Sequence, residues 1–230
     1  MEQEIKQIDR GWLEGAAKTI TFIVTKDCQL ACKYCYLVGK NENERMSIET
    51  AKAAVDYILD TRDFFNEESV IWEFIGGEPF LEIDLIDNIC DYIKTQMFAK
   101  NHHWFNSYRF NFATNGINYN SSKVQKFIKK NWTHLSIGIT IDGTKIKHDL
   151  NRVYKNSEKG SYDDVVLNIP LWLNQFPTSG TKVTISSPDI PYIKWYFSQV
   201  FVAHILIFRE LHLLLLSKME VQAENGAKNH

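Results

Sequence analysis

Short runs of apolar, largely β-branched residues alternate along this chain with longer segments whose apolar residues recur at helical spacing. That alternation restricts the fold to strand–helix units repeated around a parallel sheet, which places the chain in the α/β class. Ile20 to Thr25 reads as the first strand and Val70 to Ile75 as the second, with Arg109 to Ala113, His134 to Ile141 and Lys182 to Ser186 as three more, about five in all. Between the first two, Ser47 has the short hydroxyl side chain of an N-cap, and Ile48, Ala51, Val55 and Ile58 behind it fall on one helical face. A helix from about Asp84 carries Leu85, Ile86, Ile89 and Ile93 inward, and Ser122 to Lys130 and Asp163 to Leu173 fill the later gaps as helices. Ligands of parallel α/β folds sit beyond the carboxyl ends of the strands, so the residues that follow each strand are where chemistry is expected.

With 230 residues, 44% of them hydrophobic, the chain is long enough for one sizeable core. A formal charge of −2, from 26 basic and 28 acidic residues, provides no overall field for nucleic acid or an anionic membrane, and neither is expected as a partner. Met1 to Gly15 is polar and charged, unlike a secretory leader, so a reducing cytoplasm is the expected setting. There, the four cysteines are metal ligands, reactive thiols or core residues before they are disulfides. Trp195 to Leu216 is apolar but interrupted by His204, Arg209, Glu210 and His212, which suits a buried helix better than a membrane span.

Three cysteines, Cys28, Cys32 and Cys35, lie within one loop directly after the first strand. Thiolates this close can wrap a single iron–sulfur cubane, and three ligands leave one iron open to the amine and carboxylate of an amino acid. A zinc site is the competing reading; it needs a fourth protein ligand, and the nearest histidine in sequence is His102. Cys90 follows Ile86 by one helical turn on an apolar face and reads as a buried small hydrophobe. Trp72, Phe74 and Phe112 read as core, and the His102-His103 pair as solvent-facing.

The run Cys28-x3-Cys32-x2-Cys35, with Tyr34 before its last cysteine, resembles the signature of the radical S-adenosylmethionine (radical SAM) superfamily. Gly76-Gly77-Glu78-Pro79 after the second strand resembles that family's glycine-rich motif. Thr114-Asn115-Gly116 and Thr140-Ile141-Asp142-Gly143 then end the third and fourth strands. His148-Asp149, Arg152 and Lys159-Gly160-Ser161-Tyr162 complete a set similar, in order, to that of the sulfatase-maturase and thioether-forming peptide maturases, from about Thr19 to Pro188.

The resemblance implies a partial (β/α) barrel, a [4Fe–4S] cluster on Cys28, Cys32 and Cys35, and S-adenosylmethionine held by Tyr34, Gly76, Gly77, Glu78, Pro79, Asn115, Thr140 and Arg152. In that scheme the glycine backbone meets the methionine ammonium, Tyr34 lies against the adenine, Thr140 bonds the ribose, and Arg152 pairs with the carboxylate through its planar fork. An external electron donor and a peptide or protein substrate are implied as partners. The implied outcome is reductive cleavage of S-adenosylmethionine for thioether cross-linking or formylglycine-type maturation.

Seen singly, the motifs have plainer uses. Gly-Gly-Glu-Pro is an ordinary strand-to-helix turn, Thr-Asn-Gly and Asp-Gly are turn sequences, and a lone arginine is most often solvated. Related maturases continue with a sixth strand–helix unit and a cysteine-rich extension, whereas no cysteine follows Cys90 here. The expected organisation is therefore a catalytic core at 1–190, cut short after the fifth strand, and an atypical apolar tail at 191–230 with no auxiliary-cluster domain. A cluster-binding piece without turnover and a zinc-stabilised binding protein are the alternatives.

Overall fold

The computed structural model describes residues 16–37 and 44–185; the expectations for 191–230 and for the end of the fifth strand fall outside the described residues. Four parallel strands form one sheet in the order β1-β2-β3-β4: β1 is Ala17–Thr25, β2 Ser69–Gly76, β3 Tyr108–Thr114 and β4 Leu135–Ile139. The crossovers between them carry α1 (Ile48–Asp60), α2 (Ile83–Ala99) and α3 (Ser122–Asn131). Beyond β4 come α4 (Lys145–Asn151), α5 (Tyr162–Val166) and α6 (Ile169–Gln175). Ser47 caps α1 as its residue type predicts, its Oγ accepting the Thr50 N–H at 3.0 Å and so satisfying one of the amides a helix start leaves unpaired.

Alternate strand residues point to opposite faces of the sheet, and here the two faces differ in kind. On one face Val24, Trp72, Phe74, Phe110, Phe112, Ile137 and Ile139 are buried beneath Ala51, Val55, Ile86, Ile89, Cys90 and Phe127 of the helices. The rings of Phe22, Phe74 and Phe112 stack from strand to strand, with centroids 5.6 and 5.3 Å apart. The opposite face carries a polar rung, since Thr21, Glu73, Asn111 and Ser136 are successive register partners. Thr21 Oγ1 and Asn111 Nδ2 each donate to the Glu73 carboxylate at 3.0 Å.

Three expectations are corrected. The fifth segment pairs only through Lys182, which bridges Thr140 in parallel and exchanges backbone bonds of 2.9 Å with Ile139 and Ile141, so four strands rather than five form among the described residues. The next amide in the ladder, that of Thr184, is taken by the Asp142 carboxylate at 2.9 Å instead of by a strand. The helix read from Asp163 to Leu173 is two helices, α5 and α6, because Pro170 has no N–H to donate to the carbonyl of Val166. Asn168, at the break, donates its side-chain amide to the Gly116 carbonyl at 2.8 Å. His102 is not solvent-facing: it is 3% exposed, caps a short turn by accepting the Trp104 N–H, and burial lowers its pKa to about 4. Among the described residues, no helix is long and apolar enough to cross a membrane.

Candidate functional site

The cysteine loop has no regular structure of its own and is held by its neighbours. The Cys28 N–H donates to Asp27 Oδ1 at 2.9 Å, and Leu30, fully buried, pairs with Tyr154 as an antiparallel bridge. The Ala31 and Lys33 amides donate to the carbonyls of Val153 and Asn151 at 2.8 and 3.0 Å, and the Lys155 amide returns a bond of 2.9 Å to Gln29. Residues 151–155 therefore splint the loop along its length. None of its three cysteines is in a disulfide. Cys28 is buried, and its Sγ accepts the Leu30 N–H at 3.3 Å and the Asn115 Nδ2–H at 3.8 Å.

Between this loop and the strand ends lies a cavity of about 470 Å³. Its walls include Cys28, Cys32, Cys35, Tyr34, Gly76, Gly77, Asn115, Thr140 and Arg152, that is, every residue expected at the site except Glu78 and Pro79. Ile75 and Ala113 form an apolar patch, and Tyr36, Glu73, Thr114, Lys182 and Thr184 complete the lining.

The glycine pair is required by the backbone itself. Gly76 has φ +150°, and a Cβ there would lie 2.2 Å from the Thr25 carbonyl oxygen; a Cβ on Gly77 would lie 2.1 Å from that of Asp27. The Gly77 and Glu78 amides donate to those two carbonyls at 2.8 and 2.9 Å, stitching the end of β2 to the cysteine loop. Glu78 and Pro79 are buried behind the cavity wall. Glu78 Oε1 accepts the Phe80 N–H at 3.0 Å and the Thr114 hydroxyl at 2.7 Å, and Oε2 accepts the Asn115 N–H at 2.7 Å. Burial raises the carboxyl's pKa against the pull of these three donors. The carboxylate thus ties the end of β2 to the end of β3 and orients Asn115 toward Cys28.

Arg152 is not the solvated arginine its residue type suggests, being 7% exposed. One guanidinium nitrogen donates to the Tyr34 hydroxyl at 2.9 Å, while Nε is buried without a hydrogen-bond partner. Tyr34 in turn donates to Asp142 Oδ2. Burial, with the Asp142 bond acting in the same sense and Arg152 opposing, pushes the phenol to about 12, so it stays protonated. Asp142, His148 and Ser161, all buried, were quoted within motifs without an assigned part, and the structure brings them against this pair. The Asp142 N–H donates to His148 Nδ1 at 3.3 Å, and His148 Nε2 meets Ser161 Oγ at 3.0 Å. Burial, reinforced by Arg152, lowers the imidazole to about 4 and keeps it neutral.

A donor set of thiols, one of them accepting two N–H bonds, suits an iron–sulfur cluster, whose sulfurs are stabilised by such bonds. The guanidinium of Arg152 on the same cavity wall suits an anionic group lodged there. A zinc ion would draw its ligands to within about 2.3 Å of one point. Among the described residues, no group of three or more His, Cys, Asp or Glu side chains is arranged to hold a single ion.

The model of the family described as "4Fe-4S single cluster domain" matches residues 13–166. This chain belongs to that family. It is 31% identical over 198 residues to an uncharacterized protein of Methanocaldococcus jannaschii, covering 83% of this chain and 59% of that one. It is 30% identical over 164 residues to the cysteine-type anaerobic sulfatase-maturating enzyme of Clostridium novyi, covering 70% and 41%. A radical SAM cyclopropyl synthase of Paramaledivibacter caminithermalis is 25% identical over 141 residues, covering 56% and 28%. Among solved structures, the fold is similar to anSMEcpe with bound AdoMet at a TM-score of 0.65 and 19% identity, over 80% of this chain and 48% of that one. The same protein with AdoMet and the Cp18Cys peptide gives a TM-score of 0.61 over 80% and 46%. The chain therefore spans less than two thirds of each of these proteins, about half of the solved structures. Family, relatives and fold all agree with the radical SAM, maturase-like resemblance of the motifs.

Proposed function

We propose that Cys28, Cys32 and Cys35 hold a [4Fe–4S] cluster and that the adjoining cavity binds S-adenosylmethionine, which is cleaved reductively to modify a peptide or protein. The observation that carries this reading is the pairing, in one cavity, of a three-thiol loop with the buried Arg152, whose Nε has no partner. Held by Cys28, Cys32 and Cys35, the cluster would supply the one-electron reduction that breaks a carbon–sulfur bond of the S-adenosylmethionine sulfonium.

The chain's own residues position and shield. Leu30 and Asn115 donate to the Cys28 sulfur and disperse its thiolate charge. Arg152, on the cavity wall, would pair with the cofactor carboxylate, and Tyr34, its phenol kept protonated, would offer a ring face to the adenine. The Gly76–Gly77 backbone and Thr140 meet the ammonium and the ribose, while Ile75 and Ala113 exclude water beneath. Glu78 and Pro79 act on the protein, fixing the wall behind these contacts.

A peptide or protein substrate is supported by the names of the sulfatase-maturating relative and of the peptide-bound neighbour. An external one-electron donor follows from the chemistry, and cysteines outside disulfides accord with a reducing cytoplasm. A cluster-binding piece without turnover is the second reading. Anaerobic reconstitution with iron and sulfide, then dithionite and S-adenosylmethionine, separates the two. About four irons together with 5′-deoxyadenosine supports the enzyme. Iron without the nucleoside leaves the second reading, and absence of iron removes both.

A further inference from the structure

Five residues from distant parts of the chain close a ring of hydrogen bonds behind the cavity. Arg152 donates from its guanidinium to Tyr34 Oη at 2.9 Å, and Tyr34 donates to the Asp142 carboxylate. The Asp142 backbone N–H, a donor only, donates to His148 Nδ1 at 3.3 Å. That bond fixes the tautomer: Nε2 carries the proton and donates to Ser161 Oγ at 3.0 Å. Ser161 Oγ then donates to the carbonyl of Arg152 at 2.9 Å, where the ring began. Every bond runs in one direction, and each residue both gives and receives. Asp142, His148 and Ser161 are fully buried, so the bonds among them stand away from competing water, while the two at the Tyr34 hydroxyl are partly buried.

The ring joins two parts of the site. Tyr34 lies between Cys32 and Cys35 in the cluster loop, and Arg152 lines the cavity. Asp142 also holds the Thr184 amide at 2.9 Å through its other oxygen, so the segment after Lys182 that flanks the cavity is tied to the same carboxylate.

We infer that Asp142, His148 and Ser161 are positioning residues that make Tyr34 and Arg152 a single mechanical unit, so that seating a ligand carboxylate on Arg152 and ordering the Cys32–Cys35 loop are one event. This rests on the S-adenosylmethionine reading for the ligand but not for the coupling. A closed ring loses its constraint when any one link is cut, and a second cut adds little.

Ser161→Ala and Tyr34→Phe each remove a hydroxyl with almost no change in volume and are expected to fold; His148→Leu opens the ring at its centre. Amide exchange in the cluster-free chain is read at both ends. Tyr34→Phe is expected to quicken exchange of the Ser161 amide, and Ser161→Ala that of the Lys33 amide. In the cluster-loaded chain each single substitution is expected to raise the Kd for S-adenosylmethionine about tenfold, the equivalent of about 1.4 kcal/mol. The double variant is expected to match the singles. Exchange that quickens only beside each substitution, or a double variant whose Kd rises by the product of the two single effects, overturns the inference. If the unsubstituted loaded chain binds no S-adenosylmethionine, the functional reading fails, while the exchange result still decides the ring.

Discussion

Glu78→Gln tests whether the acid of the Gly-Gly-Glu-Pro motif serves the fold or the ligand. The side chain is 1% exposed and receives three donors, Phe80 N–H, Thr114 Oγ1 and Asn115 N–H. In the glutamine variant the carbonyl oxygen can keep the first two, which leaves an amide NH₂ facing the Asn115 N–H. One hydrogen bond to a charged acceptor is lost, about 1.5–3 kcal/mol, and a donor faces a donor in a site closed to water. Relief from burying a charge, the effect that raises the Glu78 pKa, offsets part of that. A net loss of about 2 kcal/mol corresponds to roughly 4–8 °C in Tm for a chain of this size. Thermal unfolding of the cluster-free chain, followed by circular dichroism, measures it. Affinity of the loaded chain for S-adenosylmethionine is expected to fall only through a less ordered Asn115. An unchanged Tm with a large loss of affinity would refute the reasoning and move the carboxylate to the ligand.

Cys28→Ala, Cys32→Ala or Cys35→Ala is expected to abolish iron incorporation, whereas Cys90→Ala, on the helix-covered face, leaves iron content intact and lowers stability by about 1–2 kcal/mol; iron analysis and urea unfolding read the two. Gly77→Ala places a Cβ 2.1 Å from the Asp27 carbonyl oxygen, so the cysteine loop must shift, with an expected loss of about 1–3 kcal/mol and of cluster loading. His102 and His148, both held near 4 by burial, take up protons on unfolding, so they make stability fall as pH drops from 6.5 toward 4. Glu78, its pKa raised, acts in the opposite sense, favouring the folded state at low pH and less so as pH rises above 4.5. The readout is therefore the difference in urea midpoint between the unsubstituted chain and a His102→Asn/His148→Asn variant, which is expected to narrow as pH falls through that window.

What the sequence disclosed was local. Strand and helix periods, the Ser47 cap and the spacing of Cys28, Cys32 and Cys35 lie within a few residues of one another, and each is placed in the structure as its own chemistry requires. The ring was not legible, because Tyr34, Asp142, His148, Ser161 and Arg152 meet only once the loop, the end of β4 and the segment after α4 have come together. His102 misled for a similar reason: two adjacent histidines look polar until Trp104 draws one of them into the core. The fifth segment pairs through Lys182 alone among the described residues, and the Asp142 carboxylate takes the Thr184 amide beyond it, a contact no propensity records.

Strand order and chain order coincide in this sheet, so each new strand leaving a ribosome finds its partner already made. The cysteine loop is the exception. Its splint, residues 151–155, is synthesised after all four strands, so the loop emerges early and gains its backbone partners late. Assembly by this order leaves the three cysteines without their backbone splint until the chain beyond β4 has been made.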